Sequence, residues 1–210
     1  KLVFDLQDKN TEMLQWTFDS GLNSWILYLR TAAVSSGKAN ATGTKSWNSA
    51  DGHTDPGCIY FDLTNTGKDQ VNCFWWERQI SNSSSLLEKG QTYLLTFFAK
   101  VEGNSTPVNL NAVKFINYDT KEAYTNVCSD SLSGDGWQLY TMELTATATV
   151  TSAQLIFQAG GCENTNTKVY IDDISLQKIE KSLVVQATAQ SAYKNMPVIT
   201  GNGKYYNGQN

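Results

Sequence analysis

Apolar residues along the chain recur in short alternating runs, and a helical spacing is nearly absent. Alternation bounded by Gly, Asn, Asp and Ser is the pattern of half-buried strands. It predicts strands over Trp25–Leu29, Cys58–Leu63, Val71–Ile80, Thr92–Val101, Val108–Asn117, Trp137–Leu144, Ala153–Gln158 and Lys168–Leu176. Turn signals separate them at Asn65-Thr66-Gly67, Glu88-Lys89-Gly90, Glu102-Gly103-Asn104, Gly134-Asp135-Gly136 and Gly160-Gly161. Many short strands joined by turns predict an all-β fold, an antiparallel sandwich or jelly roll.

Side chains alternate faces along a strand, so the runs also assign a core. Ile59, Phe61 and Leu63 share one face, as do Leu155 and Phe157, and Val169 and Ile171. Gln154, Ile156 and Gln158 share the face opposite Leu155 and Phe157. The non-core faces are rich in Gln, Asn and Tyr and poor in charge, whereas a solvated face ordinarily carries Lys, Glu and Arg. That points to a surface for a neutral polar ligand; a Thr/Asn-rich exterior without a ligand is the plainer alternative. Trp75 and Trp76 must point to opposite faces, and Trp76 shares its side with Phe74 and Ile80, so Trp75 is expected outward. Trp25 and Trp137 are expected to be structural. Trp47 lies with His53 in a polar stretch, Gly43–Gly57, read as a long loop that either lips a cleft or packs onto the sandwich.

Composition narrows the class. The 210 residues hold 24 aromatics as Trp 6, Tyr 10 and Phe 8, only 17% charged residues, one histidine and a net charge of −4. Nucleic acid and anionic membranes favour a basic partner, so neither is expected. No apolar run approaches the ~18 residues of a membrane-spanning helix, so no membrane insertion is expected. The chain begins at Lys1 without a secretory leader and is read as mature or trimmed. Four cysteines, none in a C-x-x-C pair, suggest disulfides in an oxidising compartment; four buried thiols are the alternative. If Asn65–Gly67 closes a hairpin, Cys58 faces Cys73, leaving Cys128 with Cys162 as the second pair. From Lys181 onward the pattern loosens: residues 1–180 are read as one module and 181–210 as a linker or the start of another domain, with Ser182–Thr188 a further possible strand.

Three stretches carry a family resemblance. They are Thr17-Phe18-Asp19-Ser20-Gly21 with Ser24-Trp25-Ile26-Leu27-Tyr28; the run from Leu87 through Lys100; and Gln154 through Gly161 with Val169-Tyr170-Ile171-Asp172-Asp173-Ile174-Ser175-Leu176. In this order and spacing they resemble the family 4/9-type carbohydrate-binding modules, a β-jelly-roll group often attached to glucanases and xylanases. The resemblance implies a two-sheet antiparallel jelly-roll β-sandwich, a ligand across its concave sheet, and no catalysis. It implies cleft roles for Tyr28, Asn117, Tyr124, Gln154 and Gln158, with Tyr118 competing with Tyr124, and it places Asn111 where some relatives have arginine. Trp75 joins that set through the face argument. The resemblance also implies a structural calcium held by Asp19 and Asp172.

The implied function is binding of a β-glucan or xylan chain, as a secreted or cell-surface monomer tethered to a glycoside hydrolase. Aromatic rings cover the apolar faces of sugars, and Gln or Asn amides pair with hydroxyls. Two alternatives remain: an adhesion domain on the same fold, and a jelly-roll hydrolase. The second needs two positioned carboxylates. No E-x-D-x-x-E run is present, and Glu77 and Glu143 are isolated.

Overall fold

The computed structural model describes residues 2–30, 40–68, 73–103, 107–187, 198–199 and 205–206. Every regular element among them is a strand. In chain order these are β1 (Leu2–Trp16), β2 (Ile26–Leu29), β3 (Thr42–Asn48), β4 (Cys58–Asn65), β5 (Phe74–Ser81), β6 (Thr92–Glu102) and β7 (Val108–Ile116). They continue with β8 (Cys128–Leu132), β9 (Gln138–Thr145), β10 (Ser152–Ala159), β11 (Thr165–Ala187), β12 (Val198–Ile199) and β13 (Tyr205–Tyr206). Residues 11–179 form one compact unit, and residues 1–10 with 180–210 form a second. In that smaller unit β12 and β13 pair through Val198↔Tyr206 and Ile199↔Tyr205.

The larger unit is a jelly-roll sandwich of two antiparallel sheets. One runs β3-β4-β11-β6-β9, with β1 also paired to β11, and the other β2-β5-β10-β7-β8. The eight strands read from alternation are present with shifted ends, apart from residues 71 and 72, which lie outside the described set, as do Asn104 of one turn and Thr188. The assigned core faces hold: Ile59, Phe61, Leu63, Leu155, Phe157, Val169 and Ile171 are all fully buried. Phe157 ties the layers together, stacking on Trp76 at 5.0 Å between centroids and meeting Phe97 of the other sheet edge-on at 5.4 Å.

The edge strands β3 and β8 escape the alternation, unlike the edge strands β2 and β9, because they offer few apolar positions. Their sequences, TGTKSWN and CSDSL, are mostly exposed and carry little apolar signal. Gly43–Gly57 is therefore a strand followed by a loop, and Trp47 packs down, its indole N–H donating to the Phe18 carbonyl at 2.8 Å.

The predicted Cys58–Cys73 hairpin is overturned. β4 pairs with β3 and β11, whereas β5 pairs with β2 and β10, so the segment after Asn65 crosses between sheets. Cys58 opens β4, and Cys73 lies against Gly67, past the other end. Eight residues of strand span about 26 Å at ~3.3 Å each, far beyond the Cα separation of a disulfide. No disulfide joins any of the four cysteines. The Cys128 thiol instead donates to the Glu143 carbonyl at 3.3 Å, and the Cys162 sulfur lies 3.1 Å from the Thr66 hydroxyl. Burial pushes the Cys58 thiol up to about 12, which makes it unreactive. The crossing is tight at Gly160, where a Cβ would lie 2.5 Å from that of Cys73 and 2.7 Å from the Thr66 carbonyl oxygen. Only glycine fits that approach, and its φ of +116° demands glycine as well.

Candidate functional site: a groove on one sheet

The outward face of the second sheet is assembled in rows by strand register. β10 lies between β5 and β7, and Gln158, Ile156 and Gln154 point outward from it at successive alternate positions. Gln158 aligns with Trp75 on β5 and Ala112 on β7, and Trp75 aligns in turn with Tyr28 on β2. Ile156 aligns with Glu77 and Lys114, and Gln154 with Gln79 and Ile116. Rows lie about 7 Å apart along the strands. With Tyr118 and Lys121 from the loop after β7, all of these residues except Ala112 and Gln79 line a groove of about 420 Å³.

One wall of the groove is aromatic. Tyr28 and Trp75 stack with centroids 4.6 Å apart and planes 11° from parallel. The Trp75 indole N–H donates to Glu77 Oε2 at 3.2 Å. Burial first, and then the Glu77 carboxylate that its hydroxyl meets, push the Tyr28 phenol above its usual value. Glu77 is only 8% exposed, so its charge is spent orienting the two rings. On the floor, Gln154 is 2% exposed and its Oε1 has no hydrogen-bond partner. An unmade buried hydrogen bond costs about 1–3 kcal/mol, so this acceptor is poised to receive a donor from a ligand.

The structure thus brings together Tyr28, Trp75, Gln154 and Gln158, while Asn111, Asn117 and Tyr124 are not among the residues lining the groove. Asn111 occupies the bulge where β7 slips against β10, between the pairs Gln158↔Ala112 and Ala159↔Leu110, and its amide donates to the Gly160 carbonyl at 2.9 Å. Beyond that bulge Val113 and Phe115 turn inward, which leaves Lys114 and Ile116 facing the groove. Asn117 falls past the strand end, where its Oδ1 accepts from the Asp119 and Thr120 amides and its Nδ2 donates to the Tyr124 hydroxyl at 2.6 Å. It holds the loop that presents Tyr118, a residue 55% exposed. Glu77, Lys114, Ile116, Tyr118, Lys121 and Ile156 complete the lining, and the three charged residues correct the expectation of a neutral surface. The alternation of β7 could have found Lys114; nothing in the sequence signals Lys121.

On the other sheet a second cluster surrounds Asp172, which is 1% exposed. Its Oδ2 accepts from the His53 backbone N–H at 2.7 Å and its Oδ1 from the Asp173 N–H at 2.8 Å. Burial above all, with the nearby charges of Asp173 and Asp19, raises its carboxyl to about 7 against the lowering effect of those two amide hydrogen bonds. His53 Nδ1 lies 2.8 Å from Asp173 Oδ2, and the imidazole stacks on Phe98 at 3.5 Å between centroids. Among the described residues no three His, Cys, Asp or Glu side chains converge as a ready-made metal site. Two neighbouring carboxylates with uncompensated like charge would still suit a hard cation whose remaining ligands are backbone oxygens or water.

The comparisons agree with the fold. A CBM4 structure superimposes with a TM-score of 0.54 at 23% identity, over 77% of this chain and 96% of that one. The CBM22-2 xylan-binding domain from Paenibacillus barcinonensis Xyn10C gives a TM-score of 0.51 at 17% identity, over 79% and 98%. The CBM22-1–GH10 modules of the Clostridium thermocellum endo-1,4-beta-D-xylanase 10B, complexed with xylohexaose, give 0.52 at 13% identity, over 80% of this chain and 28% of that one. No curated protein sequence matches the chain. A family model described as a carbohydrate binding domain, that of families 4 and 9, matches residues 61–168, just over half of the sequence and the stretch that supplies β5, β7 and β10 of the groove. The chain is a member of that carbohydrate-binding family.

Proposed function

We propose that the protein is a non-catalytic module that binds a β-linked polysaccharide of the xylan or β-glucan type along this groove and holds an attached glycoside hydrolase near its substrate. The observation that carries the reading is the pairing of a stacked aromatic wall, Tyr28–Trp75, with the unsatisfied acceptor of Gln154 on the floor. A pyranose offers both counterparts, an apolar C–H face and hydroxyl donors. Hydrolysis would require two carboxylates facing one bond. Among the groove-lining residues Glu77 is the single carboxylate, while Glu143 lies exposed on β9 of the other sheet. An extracellular polymer as ligand supports placement outside the cell, and a monomer tethered to its enzyme completes the proposal.

Affinity electrophoresis in gels containing soluble cellulosic, mixed-linkage, mannan or xylan polymers tests the reading. Retardation on xylan or a β-glucan is expected; equal mobility on every polymer contradicts it. Because each hydrogen bond nets about 0.5–1.5 kcal/mol, Gln154→Ala should weaken binding roughly 2- to 10-fold. Its melting temperature should not fall, since the substitution removes an orphaned buried acceptor.

The calcium expectation is likewise carried forward as a proposal. Asp172 and Asp19 would hold the ion, which would supply the positive charge that their mutual repulsion lacks. Thermal unfolding at pH 8 is expected to shift upward on adding millimolar calcium and back with a chelator. Identical melting curves under both conditions would remove the metal from the account.

A further inference from the structure

We infer that the groove is built for chains carrying carboxylate groups, that is, for a uronic-acid-bearing polysaccharide. The inference rests on the polysaccharide-binding reading and names the ligand chemistry of the same site.

The observation is an imbalance of charge across the groove. The chain as a whole carries −4, yet the groove is lined by two lysines against one glutamate. The glutamate is unavailable to the lysines. Glu77 is 8% exposed, receives the Trp75 indole N–H at 3.2 Å and lies under the Tyr28 hydroxyl. Lys114 stands in the same row on β7, with Ile156 of β10 between them. Two strand spacings separate β5 from β7, about 9.6 Å. Among the described residues neither Lys114 nor Lys121 forms an ion pair. Lys121 Nζ instead lies 4.5 Å from the Tyr118 ring centroid, which places a cation on the exposed aromatic of the lip. Outside the lining, Lys45 Nζ on β3 of the other sheet stands 6.0 Å from the Tyr28 ring.

A neutral chain has no use for this arrangement. Unpaired ammonium groups beside a sugar site interact equally well with water. A carboxylate on the C5 position of a sugar, stacked against the aromatic wall, would extend across the groove toward Lys114 and Lys121. The lysines would bind it as point charges, without the bidentate geometry of arginine, and would tolerate several positions of the acid along the chain. Single exposed ion pairs contribute little, so the effect is a preference laid over a neutral affinity.

Calorimetric titration tests this with matched oligosaccharides: a β-1,4-linked xylo-oligosaccharide, the same backbone bearing one glucuronic acid branch, and an oligouronate of equal length. At low salt the branched acid is expected to bind about fivefold tighter than its neutral match. That ratio should decline toward one in 0.5 M salt and in the folded Lys114→Gln/Lys121→Gln variant. Tighter binding of the oligouronate would place the acid in the backbone of the natural ligand rather than on a branch, and equally supports the carboxylate inference. Equal affinity for neutral and acidic chains at low salt would overturn the inference and leave polysaccharide binding intact. Absence of binding by all three chains would overturn the inference, and together with unretarded mobility on β-glucan gels it would overturn the polysaccharide reading as well.

Discussion

Replacing Trp76 with alanine is expected to lower the free energy of unfolding by about 3–5 kcal/mol. Trp76 is fully buried, stacks on Phe157 with planes 14° apart, and lies 6.0 Å from Phe61 of the other sheet. Truncation leaves a void between the two layers that strands locked by ladder hydrogen bonds can only partly close. The ring has no compensating polar role, because its indole N–H is buried without a partner. Trp76→Phe should therefore cost much less than alanine: it keeps the stacking on Phe157 and removes an unsatisfied donor. Chemical denaturation reads both, and since domains are stable by only about 5–15 kcal/mol, the alanine variant approaches the folding limit. An alanine variant as stable as the parent would contradict the placement of Trp76 between the sheets.

The neighbouring substitution should separate binding from folding. Trp75→Ala is expected to leave the protein folded and to abolish measurable polysaccharide binding, a loss of at least tenfold. Truncating a central aromatic anchor costs about 2 kcal/mol or more, and a groove that offers a few contacts to a hydrated sugar has little affinity to spare. Two effects combine. The ring that covers a sugar face is removed, and Tyr28 loses both its stacking partner and part of its orientation, since Glu77 is held by the Trp75 indole as well. Trp75→Phe should retain partial binding. Affinity electrophoresis with a parallel melting curve reads both quantities, and a folded Trp75→Ala variant with parental affinity would remove the groove from the account.

These adjacent tryptophans also show how far the amino-acid pattern reaches. Alternation assigned them to opposite faces because Phe74 and Ile80 mark one side of the strand, and that argument needs only local geometry. The same logic placed Gln154 and Gln158 side by side. The family resemblance, which placed Asn111 and Asn117 in the cleft, takes no account of where the strand slips. The bulge at Asn111 shifts the parity of β7, so Asn111 and Asn117 become scaffold and Lys114 and Ile116 reach the groove. The edge strand β3 offers too few apolar positions to leave a pattern, and a loop tip such as Lys121 leaves none. The cysteine pairing failed for a further reason. A turn signal at Asn65–Gly67 marks a reversal but not whether the chain returns in its own sheet or crosses to the next, and here it crosses. Low overall charge likewise gave no warning that two lysines and a glutamate would line the groove.

The most direct test of the central claim is a heteronuclear NMR titration of the protein with a β-1,4-linked xylo- or gluco-oligosaccharide. Shift changes are expected to cluster on the Trp75 indole N–H, the Gln154 and Gln158 side-chain amides, and the backbone of Tyr28 and β10. Changes confined to the His53–Asp172 region of the opposite sheet, or no changes at millimolar sugar, would contradict it.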